Sequence, residues 1–451
     1  MLIRFTASNF LSFRGDTEFS MIPAAGTDRR RHTISADSAG DMPLLQSGVI
    51  YGANASGKSN MIKAMDYARR MIVHPVDKGE GLPLCSFKLD DKIFSAPTTF
   101  EFEIRIGRKN YAYGFSFTSE EIKEEWLCEI GKSKDVELFS RNGLEIVIDK
   151  NKKFFNGGKV RDRLGFIADD LFANQLFLTM VNNRNIASMR ELDVFTGVFR
   201  WFREKLTILF PHSQYRGTPI FGGLHNLSRA FDKILSGFDT GIKRTDFTEI
   251  SSDKLYRKVP EEIIERIKKK LVPGQETIVS SPGYDTFLFY IDSDGKFGVK
   301  ELVAYHDDSE RCFEMSEESD GTKRLTDLLP LFVNFFHDKE KIIVVDELDR
   351  SLHTEITYNF MRLFFRFAKG KRIQFIFSTH DTALLDIKLF RKDEIWFVEK
   401  DKAGSSRIYS LAQFKPRDDL NLRKGYLQGR FGGIPFLGGS LEEFLESFRE
   451  R

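Results

Sequence analysis

The chain has 451 residues, which is long enough for a large hydrophobic core and for more than one lobe. Its 68 basic and 66 acidic side chains leave a formal net charge of +2, so overall charge gives no indication of nucleic-acid or membrane binding. Its three cysteines (Cys85, Cys128 and Cys312) are widely scattered, which argues against a zinc site or a disulfide framework and favours a reducing cytoplasm.

The first 50 residues alternate apolar and polar side chains, as strands do, around a polar loop near residues 26–40. The arginine triplet at 29–31 favours a solvated loop, with a phosphate or nucleic-acid contact as the other interpretation. No signal peptide is expected, because no apolar run follows a charged segment at the start. No membrane span is expected either, since the longest apolar segment, around Leu328–Phe336, is too short.

A phosphate-binding loop, GANASGKS, occupies residues 52–59 between the apolar stretch 48–51 and the helical stretch 60–65. Its glycines let backbone N–H groups point at phosphate oxygens, and the following helix adds a partial positive charge. We expect Lys58 to reach the β- and γ-phosphates and the Ser59 hydroxyl to bind Mg²⁺. The other loop residues expected to contact the nucleotide are Gly52, Asn54, Ser56, Gly57 and Asn60.

The segment after this loop predicts an antiparallel β-subdomain. Residues 98–106 alternate strictly, and a turn at Gly107–Asn110 joins them to a second strand at 110–117. Further strands are predicted at 125–130 and 145–148. Residues from about 165 to 210 have a helical pattern, and the insertion that follows has no sustained heptads, so it predicts a compact lid rather than a long coiled coil.

A helix is predicted at Glu261–Lys270, and strands at 287–291 and 297–302. Next, the run from Ser316 to Thr322 contains a Ser-x-Gly turn, Ser319 to Gly321, that opens a further helix. Such a turn provides a hydroxyl, unpaired backbone N–H groups and a helix dipole, which together can bind an anion. On its own, the turn favours an ordinary helix N-cap, and only its position between the two nucleotide motifs favours the anion-binding interpretation.

Four β-branched residues at 342–345 predict a fully buried parallel strand that ends in Asp346 and Glu347. Carboxylates at this end of a strand lie where ligands bind in open α/β sheets. We expect Asp346 to hold Mg²⁺ through water, and Glu347 to orient and deprotonate an attacking water. A second buried strand at 375–378 is followed by Thr379 and His380, and a histidine at this edge can reach a γ-phosphate.

The C-terminal part predicts strands at 394–398 and 406–411, followed by a basic, glycine-rich segment. A solvated face is the default interpretation of this segment, and a nucleic-acid or acidic-protein contact is the alternative. Its basic side chains are Lys415, Arg417, Arg423, Lys424 and Arg430. The sequence contains no second catalytic constellation of the kind that a fused nuclease domain would add.

In this order and spacing, the motifs resemble those of the ABC-like ATPases, the group that includes SMC proteins and RecF. The resemblance implies an α/β fold: an ABC-type P-loop NTPase head with a mixed sheet, an antiparallel β-subdomain and a short helical insertion. Residues 1–180 would form the nucleotide-binding lobe, residues 181–275 the lid, and residues 276–451 the second ATPase lobe.

The same resemblance implies the cofactors ATP and Mg²⁺ and a head-to-tail ATP-sandwich dimer. Ser319 and Gly321 of one subunit would contact the ATP held by the other, although the signature reads ESDGT in place of the usual LSGGQ. Asp349 would belong to the D-loop and His380 would be the switch histidine. A glutamine between the lobes ligates Mg²⁺ in this family, and Gln175 is the best-placed candidate.

A narrower resemblance extends over most of the chain, apart from a weak middle. The stretches YGANASGKSN, SEESDGTKRL, VVDELDRSLHT and FSTHDTALLD, and the C-terminal FKPRDDLNLRKGYLQGRFGGIPF, are similar to the Abi- and Rlo-type ATPases of bacterial anti-phage systems and to the ATPase of PARIS. The N-terminal RFTASNFLSFRGDTEFSM fits the same pattern, which places Phe13 and Arg14 near the base or the phosphates.

This resemblance implies a cytoplasmic sensor or scaffold ATPase that holds a separate toxin, often a nuclease, until infection. The protein would act as a homodimer or larger assembly, with a phage-derived trigger and without a membrane. Two alternatives stay open: a RecF-like DNA-repair ATPase that binds nucleic acid, and a nucleotide-gated scaffold that barely hydrolyses ATP.

Overall fold

A computed structural model describes residues 1–25, 32–35, 42–149, 155, 158–184, 189–211, 232–233, 235–281, 285–307, 311–337, 340–417 and 420–434. The chain forms two compact units. Unit 1 comprises Met1–Ile208, Glu340–Leu348 and Lys369–Arg451, and unit 2 comprises Leu209–Lys339 and Asp349–Ala368. The arginine triplet at 29–31 lies outside the described residues, as does the part of the insertion at 212–231.

Twenty strands are described. In chain order they are β1 (Leu2–Ser8), β2 (Thr17–Ser20), β3 (Thr33–Ile34), β4 (Leu44–Leu45), β5 (Ser47–Gly52), β6 (Thr98–Ile106), β7 (Lys109–Phe117), β8 (Ile122–Ile130), β9 (Val136–Asn142), β10 (Glu145–Ile148), β11 (Leu206–Leu209), β12 (Arg244–Glu249), β13 (Glu276–Ser280), β14 (Thr286–Ile291), β15 (Phe297–Tyr305), β16 (Phe313–Glu314), β17 (Glu340–Val345), β18 (Arg372–Ser378), β19 (Ile395–Lys400) and β20 (Ser406–Ser410).

The α-helices of the described residues are α1 (Lys58–Val73), α2 (Asp91–Phe94), α3 (Gly158–Asp169), α4 (Phe177–Asn183), α5 (Asp193–Arg200), α6 (Ser252–Lys258), α7 (Glu261–Lys270), α8 (Asp320–His337), α9 (Thr354–Ala368) and α10 (Leu422–Leu427). Among these residues, no helix is both long and apolar enough to cross a membrane.

Unit 1 contains the sheet that carries the phosphate loop. Its six strands run in the order β11-β17-β18-β5-β19-β20, and β5 pairs in parallel with both β18 and β19. Every residue of β5 is buried, as expected for a strand covered on both faces. Gly48 is required within it, because a Cβ there would lie 2.6 Å from the ring of Phe19. The buried parallel strand predicted at 342–345 is confirmed as β17, which pairs in parallel with β18.

The second large sheet of unit 1 is antiparallel throughout, in the order β10-β9-β8-β7-β6-β1-β2. It confirms the β-subdomain predicted from the alternation at 98–106, where the inward side chains are buried and the others half-buried. Its phenylalanines pack towards α1, where the rings of Phe117 and Tyr67 stack at 6.0 Å. Phe100 and Phe10 extend this cluster, so these aromatic side chains fill the core.

Unit 2 contains a five-stranded antiparallel sheet, in which β12-β15-β14-β13 are neighbours and β16 pairs with β15. The helix predicted at 261–270 is confirmed as α7, which packs with α6 on this sheet around Phe287 and Phe289. A buried ion-pair cluster lies beside it, where Lys258 Nζ is 3.2 Å from Asp285 and 2.5 Å from Glu301. The lysine therefore compensates the buried carboxylates.

The division into units differs from the three consecutive domains predicted from the sequence. The chain leaves unit 1 after Ile208 and returns to it with β17, because β17 and β18 complete the sheet around β5. The insertion is also less helical than predicted, since β12 lies within 181–275 and pairs with β15. The predicted α/β fold with a mixed sheet and an antiparallel β-subdomain is confirmed.

Candidate functional site

The phosphate loop connects the carboxyl end of β5 to α1, which begins at Lys58. Ala55 and Gly57 take left-handed backbone conformations, with φ of 61° and 112°, so that the loop wraps back on itself. Gly57 is the N-cap of α1, and no side-chain hydrogen bond caps this end of the helix. The loop therefore presents backbone N–H groups and the positive end of a 16-residue helix to one point in space.

Two serines from distant parts of unit 1 fix this loop. Ser406 Oγ donates to the carbonyl oxygen of Ser56 at 2.5 Å and forms a second hydrogen bond with Ser12 Oγ at 2.7 Å, in which Ser12 is the donor because the one proton of Ser406 is already used. Asn60 Nδ2 donates to Ser12 Oγ, at 2.7 Å. A Cβ on Gly57 would collide with both serine hydroxyls, so only glycine fits between this clamp and the loop.

Lys58 is 5% exposed, and its ammonium group lies inside the loop. Its Nζ donates to the carbonyl oxygens of Gly52 at 2.8 Å and Ala53 at 3.0 Å. Ser56 is similarly buried, and its Oγ has no hydrogen-bond partner among the described residues. A buried hydroxyl without a partner is costly, and a phosphate oxygen in this loop would supply one.

The two carboxylates predicted from the sequence follow β17, next to this loop. Ser59 Oγ donates to Asp346 Oδ1 at 3.0 Å. Ser378 Oγ, at the end of the neighbouring β18, donates to the same Asp346 oxygen at 2.6 Å and accepts from the Glu347 N–H at 2.8 Å. The predicted proximity of Ser59 and Asp346 is therefore present in the structure.

Glu347 has a φ of 49°, which is unusual for a side chain of this size. Strained backbone of this kind clusters at functional sites, where surrounding contacts hold it in place. Glu347 and the exposed His380 line one pocket of about 440 Å³ together with the phosphate loop. The other residues that line this pocket are Asn54, Ala55, Ser56, Gly57, Lys58, Ser59, Asn60, Lys63 and Lys400.

The arrangement of Ser59 and Asp346 suits Mg²⁺. This ion requires oxygen ligands in an octahedron with bonds of about 2.1 Å, so two adjacent ligand atoms stand about 3.0 Å apart. Ser59 Oγ and Asp346 Oδ1 have that separation, which is also the length of the hydrogen bond between them, so Asp346 is placed to bind the ion directly rather than through the water expected from the sequence. The hydroxyl and the carboxylate are also the ligand types that Mg²⁺ prefers, so these two residues fit the ion.

Sequence reasoning missed several residues of the site. Ser378 hydrogen-bonds to the Asp346 carboxylate and to the backbone N–H of Glu347, and Lys400 lines the pocket from the carboxyl end of β19. The rule that ligands bind at the carboxyl ends of parallel strands would have found both residues. Lys63 lies one turn along α1 from Ser59, so the helical period would have indicated it.

Gln175, the proposed metal ligand, does not line this pocket. Its Nε2 donates to the carbonyl oxygen of Val76 at 2.8 Å, beyond the C-terminal end of α1. The phosphate loop lies at the other end of this helix, and a 16-residue helix is about 24 Å long. Nearby, Thr179 Oγ1 donates to the carbonyl oxygen of Ile72, so this segment packs along the far end of α1.

Phe13 and Arg14 were expected near the base or the phosphates. Phe13 is fully buried, and Arg14 Nη2 donates to Asp90 Oδ2 at 2.5 Å. Neither residue lines the phosphate pocket.

Ser319, Gly321 and Asp349 belong to unit 2. Ser319 Oγ accepts from the Thr322 N–H at 3.2 Å at the start of α8, and Asp320 is 85% exposed. A Cβ on Gly321 would lie 2.8 Å from the carbonyl oxygen of Ser351, so the signature turn packs closely against the loop that follows Asp349.

Comparison with known proteins provides a family for this chain. Residues 49–386 match the family described as "AAA domain, putative AbiEii toxin, Type IV TA system". No curated protein matches the chain. Among solved structures, an SMC head bound to the C-winged helix domain of ScpA has 13% identity and a TM-score of 0.41, covering 92% of this chain and 99% of that one. The SMC head domain from Thermotoga maritima has 14% identity and a TM-score of 0.33, covering 91% and 98%.

Proposed function

The chain belongs to the family of AAA domains described as putative AbiEii toxins of type IV toxin–antitoxin systems, and we propose that it is a Mg²⁺-dependent ATPase. One observation carries the proposal: Ser59, Asp346 and Ser378 are joined by hydrogen bonds next to a phosphate loop. Glu347 and His380 line the same pocket. This combination of an anion cradle, a cation site and a carboxylate base is what hydrolysis of a nucleoside triphosphate requires.

Each residue has a role in this proposal. The loop N–H groups and Lys58 bind the phosphates, and Ser59 and Asp346 would hold a Mg²⁺ ion that would supply positive charge to them. Glu347 accepts a proton from the attacking water, and its fixed backbone aims the carboxylate. His380 donates a hydrogen bond to the γ-phosphate from the edge of β18. Ser378 orients Asp346 and the backbone of Glu347.

We further propose an ATP-sandwich homodimer, or a larger assembly built from it. Ser319 and Gly321 at the start of the 18-residue α8 would contact the γ-phosphate bound by a second copy, with Asp349 at the interface. The Ser319 hydroxyl and the dipole of α8 support this role. Because Asp320 is exposed to solvent, its side chain can turn away from the phosphate.

The biological role that we propose is control of a separate effector in anti-phage defence, in the cytoplasm. The family description links such domains to type IV toxin–antitoxin systems, which supports a defence role, whereas the separate effector rests on the resemblance to the Abi- and Rlo-type ATPases. The effector is expected to be another polypeptide, such as a nuclease. The narrower likeness to the PARIS ATPase and the phage-derived trigger stay predictions, as does the alternative of a DNA-repair ATPase.

Two variants test the proposal. Lys58→Ala should lose ATP binding, whereas Glu347→Gln should bind ATP and hold the closed assembly without turnover. ATP hydrolysis that survives in both variants would refute the site. Purification of Glu347→Gln from its native host with ATP and Mg²⁺ then addresses the role. A stoichiometric protein that is lost in Lys58→Ala would support effector control, and nucleic acid without a protein would favour the repair alternative.

A further inference from the structure

A second, mostly apolar pocket of about 410 Å³ opens beside the phosphate pocket in unit 1. Asn60 and Lys400 line both pockets, so the two are adjacent. The rest of its wall comes from the chain at 11–12, from the segment 84–89 after α1, and from Gly404. Its volume is within the range of about 300–1,000 Å³ that is typical of small-molecule sites.

The order of the phosphates relates this pocket to the bound nucleotide. In a phosphate loop of this type, the lysine contacts the β- and γ-phosphates, and the backbone of the loop contacts the α- and β-phosphates. The γ-phosphate has to lie beside Glu347 and His380, and neither residue lines the second pocket. The nucleoside end of the ligand therefore extends away from Glu347 and His380. The second pocket, which adjoins the phosphate pocket at Asn60, lies where the nucleoside can bind.

The chemistry of the wall suits a nucleobase. Leu84 and Leu89 are 38% and 70% exposed, although both are large apolar side chains, and Phe87 is 2% exposed. Ser86 is 3% exposed, and its Oγ has no hydrogen-bond partner among the described residues. A nucleobase has apolar faces that leucines can cover and polar edges that a hydroxyl can bind. Such a ligand satisfies both features at once.

Hydrogen bonds hold this wall in place. Asn9 Oδ1 accepts from the Phe87 N–H at 3.0 Å, while its Nδ2 donates to the carbonyl oxygens of Ile93 and Ala96, each at 2.7 Å. The Leu11 N–H donates to the carbonyl oxygen of Cys85 at 2.5 Å. A preformed wall reduces the ordering cost of binding.

We propose that this pocket, formed around Leu84, Ser86 and Leu89, binds the base and ribose of the nucleotide. The proposal rests on the nucleotide-binding function proposed above. It assigns base contacts to the segment after α1, in place of Phe13 and Arg14. The base lies against the leucines, and the Ser86 hydroxyl hydrogen-bonds to its edge.

Cys85 provides a direct test, because this half-buried thiol lines the pocket, whereas the exposed Cys312 is in unit 2. The full chain is alkylated with iodoacetamide, and each cysteine is quantified by peptide mass spectrometry. At Mg-ATP tenfold above its Kd, we expect alkylation of Cys85 to slow by about tenfold, in line with the occupied fraction. Inorganic tripolyphosphate, which lacks a base, should give no protection, and Cys312 should react equally in all samples.

A variant provides the second test. Leu89→Asp should weaken ATP binding by roughly tenfold or more, because apolar burial against the base is lost. Tripolyphosphate binding should be unchanged. Leu144→Asp is the matched control, since Leu144 is 63% exposed and does not line the pocket.

The outcomes separate this inference from the function on which it rests. If Lys58→Ala binds ATP and tripolyphosphate as well as the wild type, the nucleotide site itself is wrong. If both ligands require Lys58, but ATP leaves Cys85 reactive or Leu89→Asp weakens both ligands equally, only the base pocket is wrong. The base pocket is supported if Leu89→Asp weakens binding of ATP but not of tripolyphosphate, and if ATP protects Cys85 from alkylation.

Discussion

Ser378 Oγ donates a 2.6 Å hydrogen bond to Asp346 Oδ1, across the carboxyl ends of two neighbouring parallel strands. The same oxygen of Ser378 accepts from the N–H of Glu347 at 2.8 Å. One hydroxyl thus fixes both the proposed cation ligand and the backbone of the proposed base. Ser378 itself is fully buried, so water does not replace it readily.

Ser378→Ala should therefore slow ATP hydrolysis while leaving the phosphate loop intact. Loss of a hydrogen bond to a charged group costs about 1.5–3 kcal/mol, which corresponds to a fall in kcat/KM of roughly 10- to 100-fold. Steady-state phosphate release measures the effect, with Ser95→Ala on the exposed surface as the control. Equal rates in Ser378→Ala and the wild type would show that this hydroxyl does not position the site.

Gly57→Ala should abolish nucleotide binding, because its Cβ would collide with Ser12 and Ser406 and its φ is 112°. Gly79 offers a matched control, since its φ of 77° is also left-handed but nothing lies within 4 Å of a Cβ there. We expect Gly79→Ala to cost about 1 kcal/mol of stability and to bind ATP normally. Equilibrium binding of ATP distinguishes the two variants, and equal loss in both would mean that backbone strain alone is responsible.

Gln175→Ala should leave the Mg²⁺ dependence of hydrolysis unchanged, because Gln175 contacts Val76 at the far end of α1. Asp346→Ala should instead lose hydrolysis at all Mg²⁺ concentrations tested, since it removes a proposed ligand. Titration of Mg²⁺ at saturating ATP makes the comparison. A marked increase in the Mg²⁺ requirement of Gln175→Ala would mean that this residue reaches the site after nucleotide binds.

Dimerisation should depend on Ser319 in trans. In the Glu347→Gln background, ATP should produce a dimer, and an added Ser319→Arg should prevent it by blocking the helix N-terminus of α8. Glu261→Arg, at an exposed position of α7 in the same unit, is the control for the added charge. Light scattering after size-exclusion chromatography gives the mass, and a dimer in both variants would contradict the sandwich.

We expect the protonation of Asp327 to make the free energy of unfolding decrease as the pH rises. Burial raises the pKa of this α8 carboxyl from 3.8 to about 7, against the opposing effect of Arg324. The folded state therefore holds the proton more tightly than the unfolded state. This contribution is complete below about pH 4 and is lost as the pH rises through about 7. The Tm advantage of Asp327→Asn over the wild type should grow across that range and level off above it, and a constant difference would contradict the assignment.

The sequence predicted those parts of the site that lie in short continuous motifs. The loop at 52–59 and the pair Asp346 and Glu347 each follow a buried strand, and the carboxyl-end rule places them together. The position of Gln175 could not be predicted from a continuous motif, because hydrogen bonds with buried Glu125 and Arg141, which are distant in sequence, hold the segment that contains it. Glu125 accepts from the N–H groups at the start of α4, and Arg141 Nη2 donates to the carbonyl oxygen of Ala173 at 3.1 Å.

The pairing of β5 also has a consequence for folding during synthesis of the chain. Its two neighbours, β18 and β19, are encoded more than 300 residues downstream and end at Lys400. At a translation rate of about 5–20 residues per second, β5 spends roughly 20–70 s on the nascent chain before both neighbours exist. During that time its apolar residues need protection from aggregation. A product whose synthesis stops before residue 372 contains the phosphate-loop motif but neither of the strands that pair with β5, so we expect it to have no nucleotide site.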